Sequence, residues 1–224
     1  MNSPPKNHPF YQKSKSQKLK FYGKLIGIIL LFNLPFAVLA YILNLFAIVA
    51  FSFFVSLTIL APFIDVPGMV KKGKLHYFSE MLLAEQPKNN IVNIHGSSLF
   101  VYYFMLNRKQ SGKQRTQFIL KSFLEGLINI IDEYENDEQL KICGTSHILN
   151  ARTAEKLGFE LKPRQITQSV ILVFNFFNIL ACNYLSKGKL VAPKFSNIKS
   201  FEAKISDLKA NRKRLIQYKN HLKT

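Results

Sequence analysis

Three side chains are of types that could carry acid–base or nucleophilic chemistry. His95 and His147 hold imidazoles, which are neutral near pH 7 and suit general-base work. Cys143 lies four residues before His147, so a thiol and a base could meet there as a nucleophile pair. Against this, His95 precedes Gly96-Ser97-Ser98, a turn signal that marks a loop histidine, and neither histidine has a carboxylate close by in sequence. Cys143 falls at the end of an expected strand, where cysteine commonly serves as a small core filler. Catalytic residues are therefore unassigned. The only other cysteine, Cys182, sits in a dissimilar context, so neither a disulfide framework nor a metal site is expected.

Charge and hydropathy show which elements could position such groups. The 224 residues carry a formal charge of +18, which points to nucleic acid or an anionic membrane surface as partner. The distribution favours lipid. Lys13, Lys15, Lys18, Lys20 and Lys24 lead into an apolar block, and Lys71, Lys72 and Lys74 follow it, which is how cytoplasmic flanks are charged. Between Phe21 and Ile64 there is no Asp, Glu or Arg, about twice the ~20 apolar residues one spanning helix needs. The block reads as a transmembrane helical hairpin, 21–66, turning near Asn44 into helices 22–43 and 46–64. Pro62 and Pro67 are expected to close the second helix. Pro35 inside the first helix frees a backbone carbonyl, with Asn33 and Asn44 as candidate partners. The expected location is integral in an inner or plasma membrane with both termini cytoplasmic.

Residues 1–20, with Pro4, Pro5, Pro9 and several lysines, are expected to be a disordered basic tail. After the hairpin, a cytoplasmic α/β domain is expected over 67–190. Its extended candidates are 75–84, 90–95 and 99–106, the last a continuous apolar run suited to a central strand. A polar loop, Asn107 to Gln114, leads to a helix in which Phe118, Leu120, Phe123, Leu124, Leu127, Ile128 and Ile131 recur at helical spacing. A strand over Gln139 to Gly144 and a helix near 150–157 follow, closed by Gly158. A parallel strand pair joined by a crossover helix is the economical arrangement.

Two of these stretches, Val101 to Leu124 and Leu140 to Phe159 with its ending Ala154-Glu155-Lys156-Leu157-Gly158-Phe159, resemble the C-terminal half of the GCN5-related N-acetyltransferase fold. The resemblance covers about residues 75–165, and the hairpin occupies the place of the family's first strand and first two helices. It implies an acetyl-coenzyme A or other acyl-coenzyme A cofactor, its pyrophosphate held at the loop-to-helix junction by Gly112, Lys113, Gln114, Arg115 and Thr116. Two departures stand out. Lys109, Gly112 and Gln114 fill the places of the family's Arg/Gln, Gly and Gly/Ala, and Ala154 stands where many members have a tyrosine acid.

Residues 166–186 are apolar with polar residues at helical spacing; a helix lying in the interface or packed over the sheet is expected rather than a third span, which would carry the basic C-terminus outside, and a strand over 168–176 stays open. The last segment, 191–224, is expected to form a basic amphipathic helix over 197–222, with Ile198, Phe201, Ile205, Leu208, Leu215 and Leu222 on one seam. That helix would dock onto anionic lipid or a protein partner, and nucleic acid is the less favoured ligand. Two functional expectations follow: a membrane-anchored acyl-coenzyme A-binding or N-acyltransferase-like protein, or a non-enzymatic membrane scaffold or assembly partner.

Overall fold

The structure is a computed structural model and describes Pro5 and residues 8–96, 98–146, 151–163, 170–171, 173–193 and 199–222. Helix α1 (Lys15–Leu43) opens on a reciprocal cap, in which Ser14 Oγ accepts from the Gln17 amide and Gln17 Oε1 from the Ser14 amide. It ends at Asn44, whose φ of 52° is the left-handed cap that asparagine tolerates. Helix α2 (Ala47–Lys71) returns alongside it. Both helices are long and apolar enough to cross a membrane.

Pro62 and Pro67 do not end α2 as expected; the helix runs through both to Lys71. The reason lies in the carbonyls they orphan, each four residues upstream. The Thr58 carbonyl, deprived of the Pro62 amide, accepts from Asn178 Nδ2 at 2.6 Å, and the Phe63 carbonyl, deprived of the Pro67 amide, accepts from Tyr22 Oη at 3.1 Å. Asn33 does not serve Pro35 either. Its Nδ2 donates to the Ile29 carbonyl (2.8 Å) and across the hairpin to Ser56 Oγ (2.7 Å), while its Oδ1 accepts from Ser52 Oγ (2.8 Å).

A six-stranded mixed sheet follows, with strands β1 (Leu75–Tyr77), β2 (Leu82–Glu85), β3 (Ile91–Gly96), β4 (Lys141–Ser146), β5 (Glu160–Lys162) and β6 (Lys199–Lys204), in the order β1-β2-β3-β4-β6-β5. All neighbours are antiparallel except β3 and β4, whose parallel register runs from Ile91↔Lys141 to Ile94↔Gly144. The expected strand 75–84 is thus two short strands of one hairpin.

The expected central strand 99–106 is a helix, α3 (Leu99–Met105), and β3 takes the place beside β4. Leu99, Phe100, Val101 and Tyr102 are all buried. A short run that is apolar on every side carries no period to tell helix from strand. Helix α4 (Gly112–Glu133) completes the crossover, and α5 (Ala151–Lys156) leads to Gly158, whose φ of +94° requires glycine. Helix α6 (Phe176–Lys187) lies between β5 and β6 in sequence, and residues 170–171 and 173–174 are also helical.

The expected helix 197–222 is instead β6 followed by α7 (Ile205–Ala210) and α8 (Arg212–His221). Phe201 and Ala203 alternate onto the sheet core, and Ile205, Leu208 and Leu215 join them, so this seam is spent inside the domain. Ile198 lies outside the described residues.

One face of the sheet buries Leu82, Ala84, Val92, Ile94, Ile142 and Phe201 under α4, α5, α7 and α8. On the other face, Leu75, Tyr77 and Leu83 are covered by α3, the base of α2 and the segment ahead of α1. That segment was expected within the disordered tail. Its His8 is fully buried, stacked on Phe100 with centroids 5.2 Å apart, and Phe10 is 3% exposed. Burying a Phe contributes about 1.5–3 kcal/mol towards holding this stretch of chain.

Candidate functional site

The junction that precedes α4 is built by a local cap. Ser111 Oγ accepts from the Gln114 amide (3.3 Å) and Gln114 Oε1 accepts from the Ser111 amide (2.9 Å). Thr116 Oγ1 turns back to the Gly112 carbonyl at 2.8 Å. Gln114 and Thr116 thus serve the helix's own backbone, and Lys113 is exposed to solvent.

The C-terminal end of α6 closes on this junction. A Cβ added at Gly112 would collide with the Lys187 carbonyl, so glycine is required by a close approach of two backbones. Arg115 is buried, and its Nε donates to the Ser186 carbonyl (3.1 Å) while Nη1 donates to Gln110 (2.8 Å) and, more weakly, Arg108 (3.4 Å). A cation beneath the last carbonyls of α6 suits the negative end of that helix's dipole and offsets its position in the first turn of α4, where the dipole opposes it. The carbonyl end of a helix therefore fills space beside Gly112 and takes the charge of Arg115, both of which the sequence had assigned to a pyrophosphate.

A second constellation lies on the sheet face beyond the cover of α3, where the sequence showed no carboxylate near His95. Because Leu83 pairs with His95 across the β2–β3 hairpin, Glu85 emerges on the same face. His95 Nε2 lies 2.9 Å from Glu85 Oε1, and Asn93 Nδ2 donates to Glu85 Oε2 at 3.1 Å. Burial works against the Glu85 charge, but the hydrogen bonds from Asn93 and His95 and the nearby His95 prevail and hold its carboxyl below the usual range. An imidazole oriented by a carboxylate is the arrangement of a general base.

Across the parallel step, Cys143 is the register partner of Asn93, and Glu202 is the partner of Cys143. Glu202 is ion-paired with Lys162 (3.0 Å) and Lys141 (3.6 Å). Burial and the Glu202 charge push the Cys143 thiol up, so it is a poor nucleophile. His147, its expected partner, lies outside the described residues. Ala154, which the resemblance sets at the place of a tyrosine acid, is 1% exposed within the sheet core. Among the described residues, no group of three or more His, Cys, Asp and Glu is placed to hold a metal ion.

The hairpin register was the missed signal. Residues 85 and 95 flank the turn near Pro87 to Asn90 that separates two extended runs, and equal parity on either side places them on one face. Compared with protein-family models, curated proteins and solved structures, the chain matches none of them.

Proposed function

We propose that this chain is a membrane-anchored scaffold or assembly partner, with an acetyltransferase-like α/β domain whose phosphate loop has become a structural joint. One observation carries this reading: α6 ends against Gly112 and accepts the Arg115 Nε hydrogen bond through the Ser186 carbonyl, while the loop carbonyls of Gln110 and Arg108 take Nη1, so the guanidinium is spent within the fold. Three features support the acetyltransferase-like ancestry: the parallel step between β3 and β4, the long helix between them, and the Leu157-Gly158-Phe159 ending of α5. The anchor reading is supported by two apolar helices bracketed by lysines on one end of the hairpin. Those lysines favour anionic headgroups.

A second reading, acyl-coenzyme A-dependent N-acyl transfer, is favoured by the Glu85–His95 pair, which stands on an open sheet face and could accept a proton from an amine. Calorimetry separates the two. The full chain in detergent, titrated with coenzyme A and acetyl-coenzyme A to millimolar concentration, is expected to give no saturable heat. Saturable binding that weakens on Lys113→Ala would reinstate the cofactor and remove the joint as the explanation of the loop.

A further inference from the structure

The segment between β5 and β6 leaves the sheet and rejoins it almost at the same place. β5 ends at Lys162, which pairs with Ser200 in β6, so the stretch of chain that joins them starts and finishes at neighbouring places in one sheet. Such a stretch returns to the side from which it set out. A single crossing of a membrane by 170–187 is incompatible with that pairing.

In between, the segment climbs the side of α2. Phe174 packs edge-on against Phe54 and Phe177 against Phe51, with centroids 5.7 and 6.5 Å apart. Asp65 is the charged residue that ends the apolar stretch of the hairpin. Thr58 lies about 10 Å along the helix from it, and Phe51 about 21 Å, at 1.5 Å per residue. A hydrocarbon core is about 30 Å thick, so this contact is near mid-depth.

The polarity of the segment is reversed relative to a helix packed in water. Asn178, Cys182, Asn183 and Ser186 are turned inward and no more than 7% exposed, whereas Val170, Ile171, Val173 and Phe174 are 48–62% exposed. The two sets occupy successive stretches of the segment, and in water Val170, Ile171, Val173 and Phe174 would be expected to turn inward. The inward polar groups have defined work. Asn178 supplies the donor that Pro62 removed from the Thr58 carbonyl, and Asn183 Nδ2 donates to the Val191 carbonyl at 2.9 Å. Where water is absent, such a carbonyl needs a protein donor.

We propose that residues 170–171 and 173–187 belong to a re-entrant helical element embedded in the bilayer beside α2, with lipid acyl chains as the occupants of the surface formed by Val170, Ile171, Val173 and Phe174. It rests on the membrane-anchor reading of α1 and α2. The element ties the bilayer to the sheet domain through one continuous structure, since its far end, Ser186 and Lys187, is the wall of the α4 junction.

The test uses the full chain in lipid vesicles, with Cys143→Ala and Cys182→Ala as background and one spin label per protein. Labels placed through Val173→Cys, Ile171→Cys, Leu30→Cys and Lys199→Cys are compared for collision with oxygen, which concentrates in lipid, and with a water-soluble nickel chelate. The oxygen-to-nickel ratio at Val173 and Ile171 is expected to match that at Leu30 in the hairpin and to exceed that at Lys199. A nickel-dominated ratio at both Val173 and Ile171, with Leu30 oxygen-dominated, would overturn the re-entrant element and leave the anchor intact. Nickel dominance at Leu30 as well would overturn the anchor itself. A membrane-impermeant maleimide should label Lys162→Cys and Leu190→Cys from the same side, and labelling from opposite sides would mean a full crossing.

Discussion

In the hairpin, Leu30, Leu31, Tyr41 and Phe46 stand more than half exposed while Ser52 and Ser56 are buried and bonded to Asn33; in the sheet domain, Leu127, Ile130 and Ile142 are fully buried, and the one buried charge among the described residues, Arg115, is hydrogen-bonded to carbonyls. On the proposed anchor reading, the two regions apply the same rule to opposite solvents. Where the surroundings are apolar, polar groups must find partners inside, and where they are water, apolar groups must. The region around α6 belongs to both, because its polar face meets α2 at one end and α4 at the other.

The contrast predicts a steep difference in the cost of truncating leucines. Leu127→Ala should destabilise the sheet domain by about 2–5 kcal/mol, whereas Leu31→Ala, 76% exposed on α1, should cost well under about 1 kcal/mol in thermal unfolding of the detergent-solubilised protein. Equal costs would erase the distinction between the regions. Next in size is the joint between them. Arg115→Met leaves the Ser186 and Gln110 carbonyls without their donor, an expected loss of about 1–3 kcal/mol, read as a lower unfolding midpoint.

Acidity sharpens the comparison at the segment ahead of α1. Burial lowers the His8 imidazole from 6.5 to about 4, so the docked segment binds fewer protons than the released one. Tyr11, Tyr77, Phe100 and Phe104 face it, and none supplies a negative charge near neutrality. Docking is therefore complete above pH 6.5 and weakens as pH falls towards 4, by up to about 3 kcal/mol. Amide exchange at Phe10 to Lys13, corrected for intrinsic rates, should accelerate over that window, and His8→Phe should abolish the dependence. The smallest effect belongs to the hairpin's polar clasp. Asn33→Leu removes its bonds to Ser52 and Ser56 and should cost about 0.6–2 kcal/mol, measured by unfolding in bicelles.

What was legible in the sequence is what local chemistry decides. The hairpin turn at Asn44, the period of α4 and the left-handed Gly158 all follow from side chains and their immediate neighbours, whereas α4 begins at Gly112, inside the loop expected over Asn107 to Gln114. What was illegible depended on distant partners. Pro62 ends a helix unless a donor is supplied, and here the donor comes from Asn178, 120 residues away. Phe201 and Ile205 fit a heptad on paper, yet Phe201 sits in a strand because β4 and β5 both need an antiparallel neighbour. The same holds for the candidate sites. The loop residues were visible as a basic junction, but α6 as its far wall was not, and Glu85 reaches His95 only through a hairpin register.

The central claim is that the chain's apolar surface is matched to lipid. Membranes carrying the full chain, stripped with alkaline carbonate and sedimented without detergent, test it most directly. Retention of the protein in the pellet is the predicted result, and release of the intact, monodisperse chain into the supernatant would contradict the account.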